Sequence, residues 1–159
     1  MVRAIILNGP SGIGKSTVAS LIAKRHNFKH CDVDELKWLF SHERSKERTE
    51  IGEYLGYVYA RELIKRKHSL IIEALPSKYI KKLLPMLKQQ GYKIARICLK
   101  APLAQCIRNN ATRKRKGYDS NVIREVYDTL SNSEGGVIDV TNKSARQIYT
   151  ILKKKYLLK

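Results

Sequence analysis

Short apolar runs alternate along the chain with longer stretches in which apolar residues recur at helical spacing. The short runs, bounded by glycine, proline or polar residues, are typical of buried strands, and the longer stretches are typical of amphipathic helices. The predicted strands cover residues 3–8, 28–33, 69–74, 93–99 and 137–140. The predicted helices cover residues 15–25, 36–63, 79–90, 102–113 and 121–130, and a last helix opens at Ser144. Residues 36–63 are expected to be interrupted around Gly52 and Gly56, as two helices or one bent helix.

This alternation of strand and helix predicts an α/β fold. Units of this kind close best as a parallel sheet with helices on both faces, joined by right-handed crossovers. The 159 residues suffice for one ordinary domain with a buried core. We therefore predict a single domain over residues 1–159.

Composition bears on membrane association, on the state of the cysteines and on the expected cellular location. No apolar stretch approaches the length that crosses a bilayer, so we predict no membrane association. The cysteines Cys31, Cys98 and Cys106 lack the spacing of a zinc or redox motif, and we expect them to be reduced thiols. The expected location is cytoplasmic, and the sequence leaves the oligomeric state open.

The charge is strongly one-sided, with a formal net charge of +18. Between Glu73 and Asp119 every charged residue is basic, and the TRKRKG cluster at residues 112–117 is the densest part of this interval. A positive field of this size attracts polyanions such as nucleic acid. Charge runs are also typical of solvated helix faces, so the charge alone leaves both interpretations open.

A glycine-rich loop follows the first predicted strand and opens the first predicted helix. Residues 9–16 match G-x-x-x-x-G-K-[ST] in full, and a strand before and a helix after are the context that this motif requires. Its backbone amides and the helix N-terminus together attract an anion. The sequence therefore predicts binding of ATP or another nucleoside triphosphate by Gly9, Ser11, Gly12, Ile13, Gly14, Lys15, Ser16 and Thr17.

The motif also assigns roles within the loop. Lys15 is expected to reach the β- and γ-phosphates, and the Ser16 hydroxyl to bind Mg²⁺. Thr17 is expected near the α-phosphate. Glu73, at the end of the third predicted strand, is a second candidate for the metal site; a strand-end glutamate in solvent is an equal alternative.

The stretch HCDVDEL places Asp32 and Asp34 where the second predicted strand gives way to a helix. Residues two apart in a strand share a face, so both carboxylates are predicted to face a substrate. If the strand already ends at Asp32, only Asp32 is well aimed, and Asp34 becomes the cap of a helix beginning at Glu35.

The basic segment after the fourth predicted strand, which contains Arg108 and the TRKRKG cluster, is predicted to form an arginine-rich lid. Phosphoryl transfer is catalysed mainly by positioning and by cations that stabilise charge on the moving group. Arg108 and Arg113 are the candidates for this role, and Arg115 shares a face with Arg108 if one helix includes both. A solvated basic loop is the alternative.

The segments GPSGIGKST, DVD, APLAQCIRNNATRKRKGYD and VIDVTNKSARQIYTIL together resemble the P-loop kinase group. That group includes polynucleotide 5′-hydroxyl kinases, shikimate and gluconate kinases, chloramphenicol phosphotransferase and the nucleoside monophosphate kinases. The resemblance implies a three-layer fold with strand order 2-3-1-4-5. It also implies a lid over residues 108–117, an acceptor-binding helical segment over residues 35–62, and Asp32 against an acceptor hydroxyl.

Two physical arguments bear on the phosphate acceptor. A carboxylate favours a hydroxyl, because it accepts the proton that a hydroxyl loses and repels an anionic phosphate. Distributed positive charge favours a polynucleotide.

A nucleoside monophosphate is the next candidate acceptor, because Arg44, Arg48 and Arg61 could hold its phosphate. A small hydroxyl compound follows, and a nucleotide-dependent nucleic-acid-binding module is the last alternative. The aromatic residues that form either a base-stacking surface or core are Trp38, Phe40, Tyr54, Tyr57 and Tyr59.

Overall fold

The computed structural model describes residues 1–112, 117–130 and 135–157. The strands are β1 (Arg3–Asn8), β2 (Lys29–Asp32), β3 (Leu70–Glu73), β4 (Lys93–Lys100) and β5 (Gly136–Asp139). The helices are α1 (Lys15–His26), α2 (Val33–Phe40), α3 (Lys46–Lys65), α4 (Ser77–Gln89), α5 (Leu103–Ala111), α6 (Ser120–Leu130) and α7 (Ala145–Leu152), with a π-helical turn at Lys153–Leu157.

The five strands form one parallel sheet in the order β2-β3-β1-β4-β5. The predicted α/β fold is therefore confirmed, as is the strand order that the resemblance implied. Strand β2 pairs with β3 so that Cys31 lies opposite Ile72 and Asp32 lies opposite Glu73. The register brings two carboxylates together at the carboxyl ends of neighbouring strands.

The chain divides into two compact units, which are residues 1–6 with 22–95 and residues 7–21 with 96–159. In the first unit, apolar side chains of β1, β2 and β3 pack with those of α3 and α4 in one core. Ile64, Leu83 and Leu87 are fully buried there. Within the described ranges, no helix has the length and hydrophobicity to cross a membrane.

This part of the chain forms two helices, as one of the predicted alternatives has it, but the predicted break at Gly52 and Gly56 is wrong. Helix α2 ends at Phe40, residues 41–45 connect it to α3, and α3 continues through both glycines. Both glycines face α2: a Cβ at Gly56 would lie 2.7 Å from Val33 Cγ2, and one at Gly52 would overlap Lys37. The glycines therefore permit two helices to pack closely, a requirement of tertiary structure that outweighs their low helix propensity.

Helix α5 is shorter than predicted. It ends at Ala111, and Thr112 is its C-cap with φ −89° and ψ 5°. Arg108 lies exposed in the last turn of α5, and Arg115, expected on the same face only if one helix included both, lies outside the described residues. Arg113 and the rest of residues 113–116, the most basic part of the predicted lid, lie outside the described residues.

Candidate functional site

The phosphate loop has the backbone that its glycines predict. Gly12 and Gly14 adopt φ values of 83° and 91°, in the left-handed region that favours glycine. A side chain at Gly12 would also meet the carbonyl of Cys106 and lie 3.1 Å from the backbone nitrogen of Asn110. Gly14, by contrast, borders open space. Glycine is thus required at position 12 both by conformation and by packing.

Lys15 begins α1 and folds back over the loop. Its ammonium group donates to the carbonyl oxygens of Gly9 at 2.7 Å and Pro10 at 2.8 Å. Ser16 and Thr17 are exposed in the first turn, where the helix amides attract an anion, whereas the Ile13 side chain is buried. Ile13 can therefore meet a phosphate only through its backbone.

Asn110 ties this loop to the start of the segment that precedes α6. Its Oδ1 accepts from Ser11 Oγ at 3.2 Å and from the backbone nitrogen of Tyr118 at 3.2 Å, and its Nδ2 donates to the carbonyl of Tyr118 at 2.8 Å. The neighbouring Asn109 donates to the carbonyl of Gly12 at 3.0 Å. Asn110 is only 5% exposed, so these hydrogen bonds satisfy a buried amide.

The first compact unit contains a cluster of three titratable side chains, His30, Asp32 and Glu73. One potential ligand atom of each lies within 4.8 Å of the others. His30 Nε2 lies 2.7 Å from Glu73 Oε1, and the Glu73 side chain is only 1% exposed. Carboxylate oxygens and an imidazole are a donor set that could hold a divalent cation, or they can share protons among themselves.

The pKa values of this cluster are shifted by burial and by mutual charge. Burial, together with the charge of Glu73 and a hydrogen bond to it, raises the pKa of Asp32 from 3.8 to about 7. Burial opposes protonation of His30, but the hydrogen bond and charge of Glu73 outweigh it, so the pKa of His30 is raised above 6.5. The Asp32 carboxyl group therefore loses its proton near neutral pH.

Asp32, and not Asp34, caps helix α2. Asp32 Oδ1 accepts from the backbone nitrogens of Asp34 at 3.0 Å and Glu35 at 3.2 Å. The prediction that Asp32 and Asp34 share a strand face is wrong, because β2 ends at Asp32 and Asp34 lies in the first turn of α2. Asp34 instead lies 3.3 Å from the ammonium group of Lys37. The cap fixes the direction of the Asp32 carboxyl group.

Arg48 supports the end of α2. It is 5% exposed, and its Nε donates to the carbonyls of Lys37 at 3.1 Å and Ser41 at 2.8 Å. Its guanidinium also lies 4.3 Å from the centre of the Trp38 ring, and that of the exposed Arg44 lies 6.0 Å from the same ring. Arg48 thus holds the fold here, while Arg44 presents its charge to solvent beside an indole.

The sequence reasoning did not single out His30 or Asn110. His30 precedes Asp32 by two positions in an extended strand, so the alternation of side chains could have placed both on one face. Asn110 gave no such signal, because its partners Ser11 and Tyr118 are brought to it only by folding.

The comparison with known proteins agrees with this fold. A family model described as "AAA domain" matches residues 5–133. No curated protein matches the chain in sequence. Among solved structures, the tunicamycin resistance protein of Deinococcus radiodurans is similar at 18% identity and a TM-score of 0.70, covering 100% of this chain and 98% of its own.

Two further structures share this fold. Shikimate kinase from Bacteroides thetaiotaomicron is 12% identical with a TM-score of 0.69, and the match covers 98% of this chain and 99% of that one. A chain of the Pnkp1/Rnl/Hen1 RNA repair complex is 17% identical with a TM-score of 0.68, covering 82% of this chain and 44% of that one. Because the family model covers most of the sequence, the chain belongs to the AAA domain family, and its fold is that of the P-loop kinases.

Proposed function

We propose that the protein is an ATP-dependent phosphotransferase that moves the γ-phosphate to a hydroxyl of a polynucleotide, either a 5′-hydroxyl or another ribose hydroxyl. The observation that carries this proposal is the Asp32 carboxyl, fixed as a helix cap beside Glu73 with a pKa of about 7. A general base works best when its pKa lies near the working pH.

The nucleotide side of the proposal rests on the phosphate loop. Lys15 now donates to two loop carbonyls, and we infer that it exchanges them for the β- and γ-phosphates of ATP. The exposed Ser16 hydroxyl is a hard oxygen ligand of the kind that Mg²⁺ prefers, and Glu73 is a second candidate ligand. When bound, Mg²⁺ neutralises charge on the phosphates.

The acceptor side rests on Asp32. With its direction set by the amides of α2, this carboxylate would orient a hydroxyl and accept its proton as the oxygen attacks phosphorus. An acceptor phosphate is already anionic and would be repelled by the pair Asp32 and Glu73. Arg108 and Arg113 would stabilise the charge of the moving phosphoryl group, and this remains a prediction from the sequence.

The choice of a polynucleotide rests on charge. A small neutral hydroxyl compound gains nothing from a formal charge of +18, whereas a chain of phosphates releases counterions at each contact with lysine or arginine. The likeness to a chain of an RNA repair complex agrees with this choice. Nucleoside monophosphate kinase activity is the second candidate, because Arg44 beside Trp38 could hold a phosphate and a base.

The test is transfer of labelled phosphate from ATP to a mixture of 5′-hydroxyl oligonucleotides, nucleoside monophosphates and small hydroxyl compounds. We expect label on the oligonucleotide, and its loss in Lys15→Ala. Lys24→Ala is the matched control, because it removes the same charge from an exposed position of the same helix. Label on a monophosphate or a small compound alone would reassign the acceptor. ATP binding without label on any acceptor would refute the phosphotransferase.

A further inference from the structure

Three tyrosines of α3 and α4 form a continuous row of rings, here called the aromatic ladder. Tyr57 and Tyr79 are stacked, with ring centres 5.1 Å apart and planes inclined by 20°. Tyr54 continues the row at 6.5 Å from Tyr57 with a tilt of 41°. Tyr57 and Tyr79 pack partly against the core, whereas Tyr54 is 55% exposed. The ladder thus begins in the core and ends in a ring that is open to solvent.

Cationic side chains surround these rings. The Lys78 ammonium lies 4.9 Å from the centre of Tyr79, and that of Lys82 lies 5.9 Å from both Tyr57 and Tyr79. The Arg61 guanidinium lies 5.8 Å from Tyr57. Within the described residues, the buried Nε of Arg61 has no hydrogen-bond partner. Rings and cations therefore lie side by side here, as in proteins that stack bases and contact phosphates.

The acidic residues nearby leave much of this charge uncompensated. On α3, Glu53 pairs with Lys78 at 3.6 Å, and Glu62 pairs with Lys65 and Arg66 further along the helix. Helix α4 contains no acidic residue. Lys82 is exposed and makes no ion pair with any residue that the structure describes. The charged side chains on the exposed surface of α4 are therefore all basic, and this surface borders the ladder.

We propose that the aromatic ladder and its cations bind single-stranded nucleic acid. Bases stack on aromatic rings whatever their sequence, and neighbouring cations contact the phosphates, which is how proteins track a single strand. A duplex hides the faces of its bases, and a polypeptide does not combine stackable bases with a regular row of phosphates. The inference rests on the proposed function, since it gives a polynucleotide acceptor a place to bind, but it involves none of the residues assigned to phosphoryl transfer.

The ring of Tyr54 is tested first, because it offers the most exposed stacking face. In the absence of ATP, we expect wild-type protein to bind a labelled single-stranded oligonucleotide in fluorescence anisotropy more tightly than the matching duplex. Tyr54→Ala should weaken single-strand binding by at least about fivefold, the loss expected for one stacked base. Tyr54→Phe should retain the affinity because it keeps the ring. Leu55→Ala, which shortens the neighbouring exposed side chain, should retain it as well.

Lys82 tests the phosphate contact. Lys82→Ala should lower the slope of log affinity against log salt concentration by about 0.7, the value for one phosphate of a single strand. Lys88→Ala is the matched control, since it removes the same charge from another exposed position of α4 and Lys88 does not border the rings. Equal changes in both variants would mean that only the overall charge attracts the strand, and would overturn the proposal.

The remaining outcomes separate this inference from the proposed function. Single-strand binding that depends on Tyr54, without transfer of label to any oligonucleotide, would retain the ladder and refute the polynucleotide kinase. Transfer of label to oligonucleotides, with unchanged single-strand affinity in Tyr54→Ala, would retain the polynucleotide kinase and refute the ladder. If the wild-type protein binds no oligonucleotide, the surface has a different occupant, such as a polypeptide, and the proposal fails.

Discussion

His30 Nε2 lies 2.7 Å from Glu73 Oε1, and Glu73 lies opposite Asp32 in the pairing of β2 with β3. The imidazole thereby gives the buried Glu73 carboxylate a hydrogen-bond partner, which a buried charge requires. Asp32 is the third member, and its carboxyl group competes with the other two for protons. The cluster is therefore a coupled proton site at the carboxyl ends of two parallel strands.

The stability of the metal-free protein should depend on Asp32. Its pKa is about 7 in the folded chain against an ordinary 3.8, so between these values the folded state binds more protons than the unfolded state. The free energy of unfolding then falls as pH rises through this window. Asp32→Asn removes that loss. The free energy of unfolding of this variant, relative to that of wild type, should therefore increase by about 1–3 kcal/mol from pH 5 to pH 8. Denaturation in EDTA at both pH values measures this.

Asp32→Ala is the control for the helix cap. Asparagine caps a helix about as well as aspartate, whereas alanine should lower the free energy of unfolding by a further ~0.5–2 kcal/mol at every pH. A constant offset between the two variants isolates the cap, and a pH dependence that wild type shows and both variants lack isolates the carboxyl group. Parallel curves for wild type and Asp32→Asn would contradict the raised pKa.

The catalytic rate should rise with pH, whereas the stability falls with pH. If Asp32 accepts the proton of the acceptor hydroxyl, it works only after losing its own, so kcat/KM should rise with pH and level off above about 7. Asp32→Asn should abolish this limb along with most of the activity, by at least about 100-fold. A pH–rate profile of the wild type, measured at saturating Mg²⁺, checks the limb. A profile that is flat from pH 5.5 to pH 8.5 would remove Asp32 from the proposed mechanism.

His30→Ala should destabilise the protein because it leaves the Glu73 carboxylate buried without its imidazole partner. We expect a loss of about 1–3 kcal/mol in the free energy of unfolding. The pKa of His30 is raised above 6.5 in the folded chain, so its stabilising contribution is complete below pH 6.5 and declines as pH rises through the folded value. The loss should therefore be larger at pH 5.5 than at pH 8.5. His42→Ala, at an exposed histidine, serves as the control, and equal losses in both variants would contradict the prediction.

The sequence predicted those features that depend on local pattern. The phosphate loop follows from its own residues and flanks, and the five strands follow from short apolar runs. The role of Asp34 was mistaken because the Asp32 side chain captures two amides and starts α2 at Val33. Gly52 was mistaken for a helix breaker because its partner, Lys37, belongs to another helix. A side-chain cap to amides two and three residues away decides the first feature, a contact between two helices decides the second, and periodicity records neither.

The close packing of α2 on α3 predicts strong coupling between Gly56 and Val33. An alanine at an ordinary helical glycine is stabilising by about 0.5–1 kcal/mol. Here its Cβ would lie 2.7 Å from Val33 Cγ2, so Gly56→Ala should instead be destabilising by about 1–3 kcal/mol. Val33→Ala removes the overlapping methyl group. In a double-mutant cycle followed by urea denaturation, Gly56→Ala should therefore cost less in the Val33→Ala background, and an additive cycle would refute this account of the glycine.

Asn110 should couple the stability of the chain to its affinity for ATP. Asn110→Ala removes the hydrogen bonds that this side-chain amide makes with the Ser11 hydroxyl and with the backbone nitrogen and carbonyl oxygen of Tyr118, and we expect their loss to cost about 1–3 kcal/mol in the free energy of unfolding. Because Ser11 belongs to the phosphate loop, we also expect KM for ATP to rise more than kcat falls. Asn121→Ala, at an exposed asparagine of α6, should change neither quantity. Urea denaturation and initial rates at varied ATP measure both effects, and a loss of stability with unchanged KM would confine Asn110 to holding the fold.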